Sequence, residues 1–439
     1  MNAAPSIADR SGWVALAGTY RAFPQLGGDI RTDWLVIGGG FTGLAAARRL
    51  AELHPNDRIV LIDRRRLGQG ASGRNSGFAV SVEMPGPGEL EKPADRAAYL
   101  AHAAIHKAAG AEVKRLVTEL GIACDYDAGG YIFAVRERAK FKALEERARV
   151  LNDNGTQAKI LDADALKARL GIAFYSHGLW IGGGNALLQP ARFAKGLIDN
   201  LPPQIECHEN TEALKIAPNA GGGATVTLAQ GSIKAAHAIV GLNAFMPRLG
   251  LKQGRVFPIS LTASLTRPLT PAEEEEIGKV APWGMLCPVE GGATVRLTAD
   301  RRILMRNTAE YEPDGISAQM LEKRRAWHEM GLNHRFPFLP KDAIEFTWSG
   351  HMCASRNWSF VFEEVSPGIF AAGCYNGAGL ARGTLLGRLI AEHAVGETSL
   401  LAENALAREK PSWVPTGPLF TLIAKMRLAH ELRQARSEH

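Results

Sequence analysis

Cysteine is scarce and unpatterned, with five residues in 439, at positions 124, 207, 287, 353 and 374, and no CxxC pair. That number and spacing argue against a disulfide framework and against a zinc site, and no metal centre is expected. An excess of one charge is lacking too: 51 Lys and Arg against 45 Asp and Glu leave +6, with no block of five like charges. Such a mild basic bias suits a small anionic ligand, not a nucleic acid, which needs a concentrated basic stripe. No run approaches 18 apolar residues, and Met1 to Ile30 lacks a basic stretch followed by an apolar one. Neither a secretory leader nor a membrane span is expected, and the reading is a reducing, cytoplasmic protein. No repeat with a period of 20 to 50 residues is present.

What the chain has in quantity is apolar residues, at 46%, and 47 glycines, which cluster instead of recurring with a period. This length and composition bury a large core over two or three lobes. Clustered glycines point to tight turns and close approach of a ligand.

The first cluster follows a strand. Trp34-Leu35-Val36-Ile37 is a short β-type run, Gly38-Gly39-Gly40 a turn, Phe41 to Leu53 an Ala/Leu/Arg-rich helix, and Arg58 to Ile62 a second buried strand. The two strands and their helix form a βαβ unit, so the strands should be parallel. Within it, Gly38, Gly40 and Gly43 have the GxGxxG spacing, and Asp63 ends the next strand. A bare GxGxxG is a weak signal; with strand, helix and acid in place it is a dinucleotide fingerprint. The first glycine allows the tight turn, the second lets the backbone approach a pyrophosphate, and the third lets helix pack on strand. Phe41 and Thr42 open the helix whose N–H groups would hold the phosphates. Asp63 suits the ribose hydroxyls; its bland alternative is an exposed strand-end carboxylate. Arg64, Arg65 and Arg66 reach a phosphate or face solvent.

Further along, helices are expected over 99–120, 141–152, 163–170 (with Asp162 or Asp164 as N-cap), 190–200, 318–330 and 380–395. Strands are expected over 130–135, 222–242 (an antiparallel pair), several between 256 and 308, and 368–373. Residues 1–32 form an arm on the body, and 419–436 a basic amphipathic helix that docks on the chain's own surface or touches a membrane surface or a partner.

The next segment separates the possible dinucleotides. Gly68-Gln69-Gly70-Ala71-Ser72-Gly73-Arg74-Asn75-Ser76-Gly77 resembles the G-x-G-A-S-x-R-N-x-G loop of the D-amino-acid oxidase family of FAD-dependent oxidoreductases. Within the family the likeness is nearest to the gamma-glutamylputrescine oxidase branch, with glycine oxidase and sarcosine oxidase more distant. It runs from Asp33 to about Gly396. Asn185 to Pro190, Thr211 to Ile216 (whose Ala213 would pair with adenine), Ile239 to Ala244 (with Asn243), and Trp348-Ser349-Gly350 resemble family segments in order. Gly373-Cys374-Tyr375-Asn376-Gly377-Ala378-Gly379-Leu380 resembles the family loop that aims a helix N-terminus at the flavin, with Ala378 where many relatives have His.

The resemblance implies an α/β fold: a Rossmann-type FAD-binding domain with an interleaved α+β substrate domain built on an antiparallel sheet. Its expected boundaries are 33–125, 185–245 and 346–400 for FAD, 126–184 and 246–345 for substrate, with 1–32 as the arm and 401–439 as a helical tail. FAD would be held noncovalently by Gly38, Gly40, Phe41, Thr42, Gly43, Asp63, Arg64, Ala71, Ser72, Arg74, Asn75, Ser76, Gly77, Ala213, Asn243, Gly373, Asn376, Gly377, Gly379 and Leu380. The implied reaction oxidises the C–N bond of a small amine or amino acid, with electrons passing to O2 or another acceptor. Arg296 would bind a substrate carboxylate, its alternative being a surface ion pair. Tyr131 and Trp348 would wall the cavity or belong to the core. His351 and Tyr375 are the candidate catalytic side chains, and His177 is weighed beside them as a histidine near a glycine-rich turn. An NAD-linked dehydrogenase leaves the 71–77 and 373–380 loops unexplained, and the remaining rivals are an FAD-dependent dehydrogenase of a different small substrate that passes electrons to a quinone or protein acceptor, and a noncatalytic flavoprotein subunit.

Overall fold

A computed structural model describes residues 11–84, 93–138, 141–289 and 291–438. Residues 1–10 of the expected arm lie outside the described residues. Two eight-stranded sheets carry the chain. The first runs Val361–Ser366, Ile369–Gly373, Gly231–Val240, Ile30–Ile37, Ile59–Ile62, Ile205–His208, with Ala224–Leu228 and Lys215–Pro218 branching from its middle. The four pairings among Ile369–Gly373, Gly231–Val240, Ile30–Ile37, Ile59–Ile62 and Ile205–His208 are parallel. Leu35, Val36 and all of Ile59–Ile62 are buried, as continuous apolar strands covered on both faces must be.

The helix Phe41–Leu53 has its expected bounds. It packs on Gly379–Ala394, where glycines at 379, 383 and 387 share one face. A Cβ on Gly387 would stand 2.2 Å from the Thr42 carbonyl oxygen, so the two backbones nearly touch. Ala163–Leu170 also has its expected bounds, capped by Asp162, whose carboxylate accepts from the Ala165 N–H.

The second sheet runs Ile344–Ala354, Phe257–Thr266, Ile303–Glu310, Thr294–Leu297, Trp283–Leu286, Tyr131–Val135, His177–Ile181, Ala158–Leu161. It is antiparallel except where Trp283–Leu286 meets Tyr131–Val135.

Several expectations are corrected. The 222–242 segment forms its antiparallel pair, but Gly231–Val240 also lies parallel beside Ile30–Ile37, in the centre of the first sheet. The expected boundary at 345/346 falls inside Ile344–Ala354, which pairs along its length with Phe257–Thr266, so the chain returns to the first sheet only at Val361. The helix expected to end at Met330 continues to Arg335, because Arg335 is buried and donates to the Tyr175 hydroxyl and the Glu438 carbonyl. The described part of the arm is a fixed support: Trp13 is buried, with its indole N–H on the Asn75 carbonyl (2.9 Å) and its own carbonyl taken by Gln189.

Candidate functional site

A cavity of about 1280 Å³ opens between the carboxyl ends of the parallel strands and one face of the antiparallel sheet. It exceeds the roughly 300–1,000 Å³ of a drug-sized site, leaving room for a dinucleotide and a small substrate together. Three segments bring backbone to its wall.

The first is the turn after Ile30–Ile37. Gly38 adopts φ +108°, closed to side-chain-bearing residues, and a Cβ on Gly43 would lie 1.8 Å from the Gly38 carbonyl oxygen. Gly38, Gly40, Phe41 and Thr42 line the cavity, and Gly43 lies behind them as the close contact that sets the turn. Gly40, at the helix N-cap, offers no side chain, so first-turn N–H groups face the cavity without intrahelical acceptors. One of them, Phe41 N–H, is held by the Ser72 hydroxyl (2.9 Å). Asp63 lines the same end and accepts from Gly39 N–H (2.8 Å) and Arg65 N–H (2.7 Å). Burial raises its pKa, against the lowering effect of those donors and of Arg64 and Arg65. Arg64 lines the cavity, loosely paired with Glu212 at 3.5 Å, whereas Arg66 is tied to Glu209 and the Tyr20 carbonyl. Ala213 lies on the wall beside Glu212.

The second segment is the single 3-10 turn Ala71–Gly73 together with the loop that continues from it to Gly77. Ala71, Ser72, Arg74, Asn75 and Ser76 line the cavity. Arg74 bonds the Gln69 and Ser349 carbonyls, and the Asn75 amide bonds the Ala71 and Ser72 carbonyls, so both side chains shape the loop. Gly77 sits behind it, where a Cβ would strike Arg296 Nη1 and the Leu188 carbonyl, both at 2.2 Å.

The third is the loop into Gly379–Ala394. Cys374, Asn376 and Gly377 have φ of 58°, 49° and 94°. Asn side chains hold this uncommon backbone. Asn376 accepts from Ser355 N–H (2.9 Å) and donates to the Trp358 carbonyl (2.8 Å), while Asn243 accepts from Cys374 N–H (2.9 Å). Asn243, Asn376, Gly377, Gly379 and Leu380 line the cavity, with Gly373 packed behind against Asn243 and Met246. Ala378 supplies no side-chain cap, so this second helix also presents open N–H groups. Tyr375 joins the two helix starts through its hydroxyl and that of Thr42 (2.7 Å), and burial raises its pKa.

Three expected substrate residues are corrected. Arg296 is off the cavity wall: its Nη1 donates to the carbonyls of Ser76, Gly77 and Leu188, and its guanidinium lies over Trp13. It braces the 71–77 loop from behind. Trp348 is buried against Trp13, with its indole N–H on the Arg74 carbonyl, and Tyr131 packs edge-on against Phe78 and Phe133. Both are core. His351 does line the cavity, beside Phe245, and burial lowers its pKa, leaving the ring neutral at pH 7. His177 packs on Phe141 away from the site.

The wall also holds residues the sequence did not single out. These are Phe257, Leu261, Ala263, Thr294, Arg306 and Ala309 from the second sheet, and Phe420, Ala424 and Leu428 from the helix Pro418–Gln434. Arg306 was visible as a charge in the apolar run Ile303-Leu304-Met305, but nothing local gave its direction. The tail helix docks on its own chain: Phe420 meets Phe257 and Tyr311, and Lys425 pairs with Glu312. Among the described residues, no cluster of His, Cys, Asp or Glu is placed to hold a metal, and no helix is long and apolar enough to cross a membrane.

Comparison with known proteins agrees with this geometry. Residues 33–393 match the DAO family model, described as FAD dependent oxidoreductase. The chain is 27% identical over 402 residues to gamma-glutamylputrescine oxidoreductase of Escherichia coli, covering 88% of each chain, and 25% identical to the probable oxidoreductase OrdL of Haemophilus influenzae, covering 87% and 86%. In fold it is similar to glycine oxidase from Geobacillus kaustophilus, with a TM-score of 0.69, 18% identity and coverage of 84% and 96%. The residues present fit FAD: a side-chain-free cradle at Gly38 and Gly40, a carboxylate at the adenosine end, and two uncapped helix starts facing one elongated cavity. The chain belongs to the DAO family of FAD-dependent oxidoreductases.

Proposed function

We propose that this oxidoreductase oxidises a C–N bond of a small amine or amino acid, with FAD held noncovalently and the imine product hydrolysing to a carbonyl compound and an amine or ammonia. The observation that carries the reading is the convergence of three backbone segments on one cavity whose far wall is the antiparallel sheet. Segments 33–125, 185–245 and the chain after Val361 would hold the cofactor, and 126–184 with 246–354 would wall the substrate.

FAD supplies the hydride acceptor when bound. The protein's part is placement and electrostatics. The start of Phe41–Leu53, where the Phe41 N–H is taken by Ser72 and the following N–H groups have no intrahelical acceptor, suits the diphosphate, Asp63 suits the ribose hydroxyls, and the start of Gly379–Ala394 favours negative charge near the ring. Burial favours the neutral ring of His351, which stands on the wall as a hydrogen-bonding group that adds no charge of its own. Cys353 reaches the wall as a thiol whose pKa burial raises, so it lacks the thiolate character that attack on a cofactor ring requires. This supports noncovalent binding. The named activity of the Escherichia coli relative, on gamma-glutamylputrescine, lies in the same substrate class.

The test is anaerobic mixing of the purified yellow protein with polyamines, N-methyl amino acids and D- and L-amino acids while the visible flavin band is followed. Bleaching by one class supports amine oxidation, and readmitted air reports whether O2 takes the electrons. A band that no amine bleaches overturns the reading in favour of a different substrate or a noncatalytic flavoprotein.

A further inference from the structure

The helix Pro418–Gln434 carries two apolar stripes, and its own chain uses only one. Phe420, Ala424 and Leu428, four residues apart, line the cavity, with Phe420 against Phe257 and Tyr311. Leu419, Leu422, Ile423 and Met426 recur at i, i+3, i+4 and i+7, the spacing that normally marks the face a helix buries. Here that face points outward: the four side chains are between 48% and 65% exposed. Ile423 is both exposed and on the cavity wall, so the outer stripe begins at the mouth itself.

Two tryptophans extend the apolar rim. Trp358 is 55% exposed and lines the cavity, and Trp413, 59% exposed, precedes Val414 and Pro415 on the wall. Asn357 ties their loops together, its amide on the Lys410 carbonyl (3.0 Å) and its side-chain oxygen on the Ser412 N–H (3.0 Å). Of the twelve large apolar side chains exposed among the described residues, these are six. Single exposed apolar residues are ordinary, whereas a contiguous group marks a surface that something covers.

The charge on this segment says what covers it. Between Trp413 and Ser437 stand Lys425, Arg427, Arg433 and Arg436 against one carboxylate, Glu431. Glu431 lines the cavity, bonded to Arg427 at 2.6 Å, and Lys425 pairs with Glu312 at 2.8 Å. Arg433 and Arg436 are exposed. A second copy of the chain, seated on the same face, would set two basic patches against each other. An anionic bilayer takes both features at once: acyl chains receive the leucines and Met426, the headgroup layer suits the indoles, and lipid phosphates answer the arginines. Among the described residues no helix is long and apolar enough to cross a membrane, so the helix would lie on it.

We propose that the outer face of Pro418–Gln434, with the rim at Trp358 and Trp413, is a docking surface for an anionic phospholipid bilayer. Because the same helix closes the cavity, docking sets the mouth at the headgroup layer. The inference is independent of the amine-oxidation reading.

The experiment co-sediments the FAD-loaded protein with vesicles of phosphatidylcholine alone or mixed with phosphatidylglycerol. L422S/M426S and R433Q/R436Q are compared with the wild type after each is checked for unchanged flavin content and melting temperature. None of the four residues lines the cavity. The wild type should bind the anionic vesicles and be weakened by salt, with each double variant roughly tenfold weaker, the apolar one through lost burial and the basic one through lost charge. Brominated lipid should quench tryptophan fluorescence in the wild type, and less in W413F. No binding to anionic vesicles, equal binding to neutral ones, or unchanged binding in either double variant overturns the proposal. A wild-type dimer that L422S/M426S converts to monomer assigns the face to a second copy and overturns it as well.

Discussion

Gly43 is the tightest position of the cofactor turn, and at the residue scale it gives the sharpest prediction. A methyl group there would meet the Gly38 carbonyl oxygen at 1.8 Å, backbone against backbone, with no side chain able to move aside. Gly43→Ala should therefore be purified colourless or nearly so, read as the ratio of visible to ultraviolet absorbance. Gly40→Ala is the contrast: its Cβ would approach only the Ser72 hydroxyl, at 2.9 Å, and partial flavin content is expected. Asp63→Ala removes the acceptor for Gly39 and Arg65 N–H together with the proposed ribose contact, and should weaken FAD binding by about 1–3 kcal/mol in a fluorescence titration. These residues were legible because their meaning is local, a spacing of glycines and an acid at a strand end. Arg296 and Arg306 show where legibility stops. Each is an arginine in an apolar strand, and the register, which pairs Thr294 with Arg306 and Arg296 with Leu304, puts both on one face; what separates them is the chain packed over that face, since the carbonyls of Ser76, Gly77 and Leu188 cover Arg296 while Arg306 reaches the cavity.

Among the elements, the contact between Phe41–Leu53 and Gly379–Ala394 holds both cofactor-facing helix starts in one frame. The Gly379, Gly383 and Gly387 spacing of four could have been read as a face of close approach, but the glycine loop before it is the stronger local signal. Gly387→Ala would press a methyl group to 2.2 Å from the Thr42 carbonyl. Separating the helices should lower stability by about 1–3 kcal/mol, the usual range for overpacking, seen as a lower melting temperature and weaker FAD retention together. Helix Ala318–Arg335 gives a second test. Its His328 is fully buried, with Nδ1 on Ser264 Oγ (2.8 Å), and burial lowers its pKa to about 3. An unfolded histidine takes its proton near the ordinary 6.5, so the unfolded state binds more protons between those values. The stability due to His328 is therefore whole above about pH 6.5 and is lost as pH falls toward 3, at up to about 1.4 kcal/mol per pH unit. His328→Gln should flatten the fall in melting temperature between pH 6.5 and 5. Some slope should remain, since burial also lowers His102, to about 4. Helix bounds such as Ala163–Leu170 were readable from caps. The order of the eight strands of the second sheet was not, since register is fixed by partners distant in sequence.

At the scale of the whole molecule, the cavity is the joint between two sheets. One wall is backbone at the ends of parallel strands, the other is side chains of Phe257–Thr266 and Ile303–Glu310, and Pro418–Gln434 closes the mouth with Phe420 against Phe257. That helix has no fully buried residue of its own, yet its far end is fixed by Glu438, whose carboxylate accepts from Arg136 N–H and whose carbonyl accepts from Arg335. FAD lying along this cavity would touch both walls, so binding should stabilise the chain as one unit and not only the parallel sheet. A ligand at 100 times its Kd adds about 2.7 kcal/mol to a state that alone binds it. Protein stripped of flavin and titrated with FAD should show its melting temperature rise with the logarithm of free FAD. The Trp348 side of the second sheet and the parallel sheet should gain hydrogen-exchange protection together. Protection confined to Ile30–Ile37 and its parallel neighbours would mean that the second sheet does not share the cofactor. The substrate face would then have to be assembled by substrate alone.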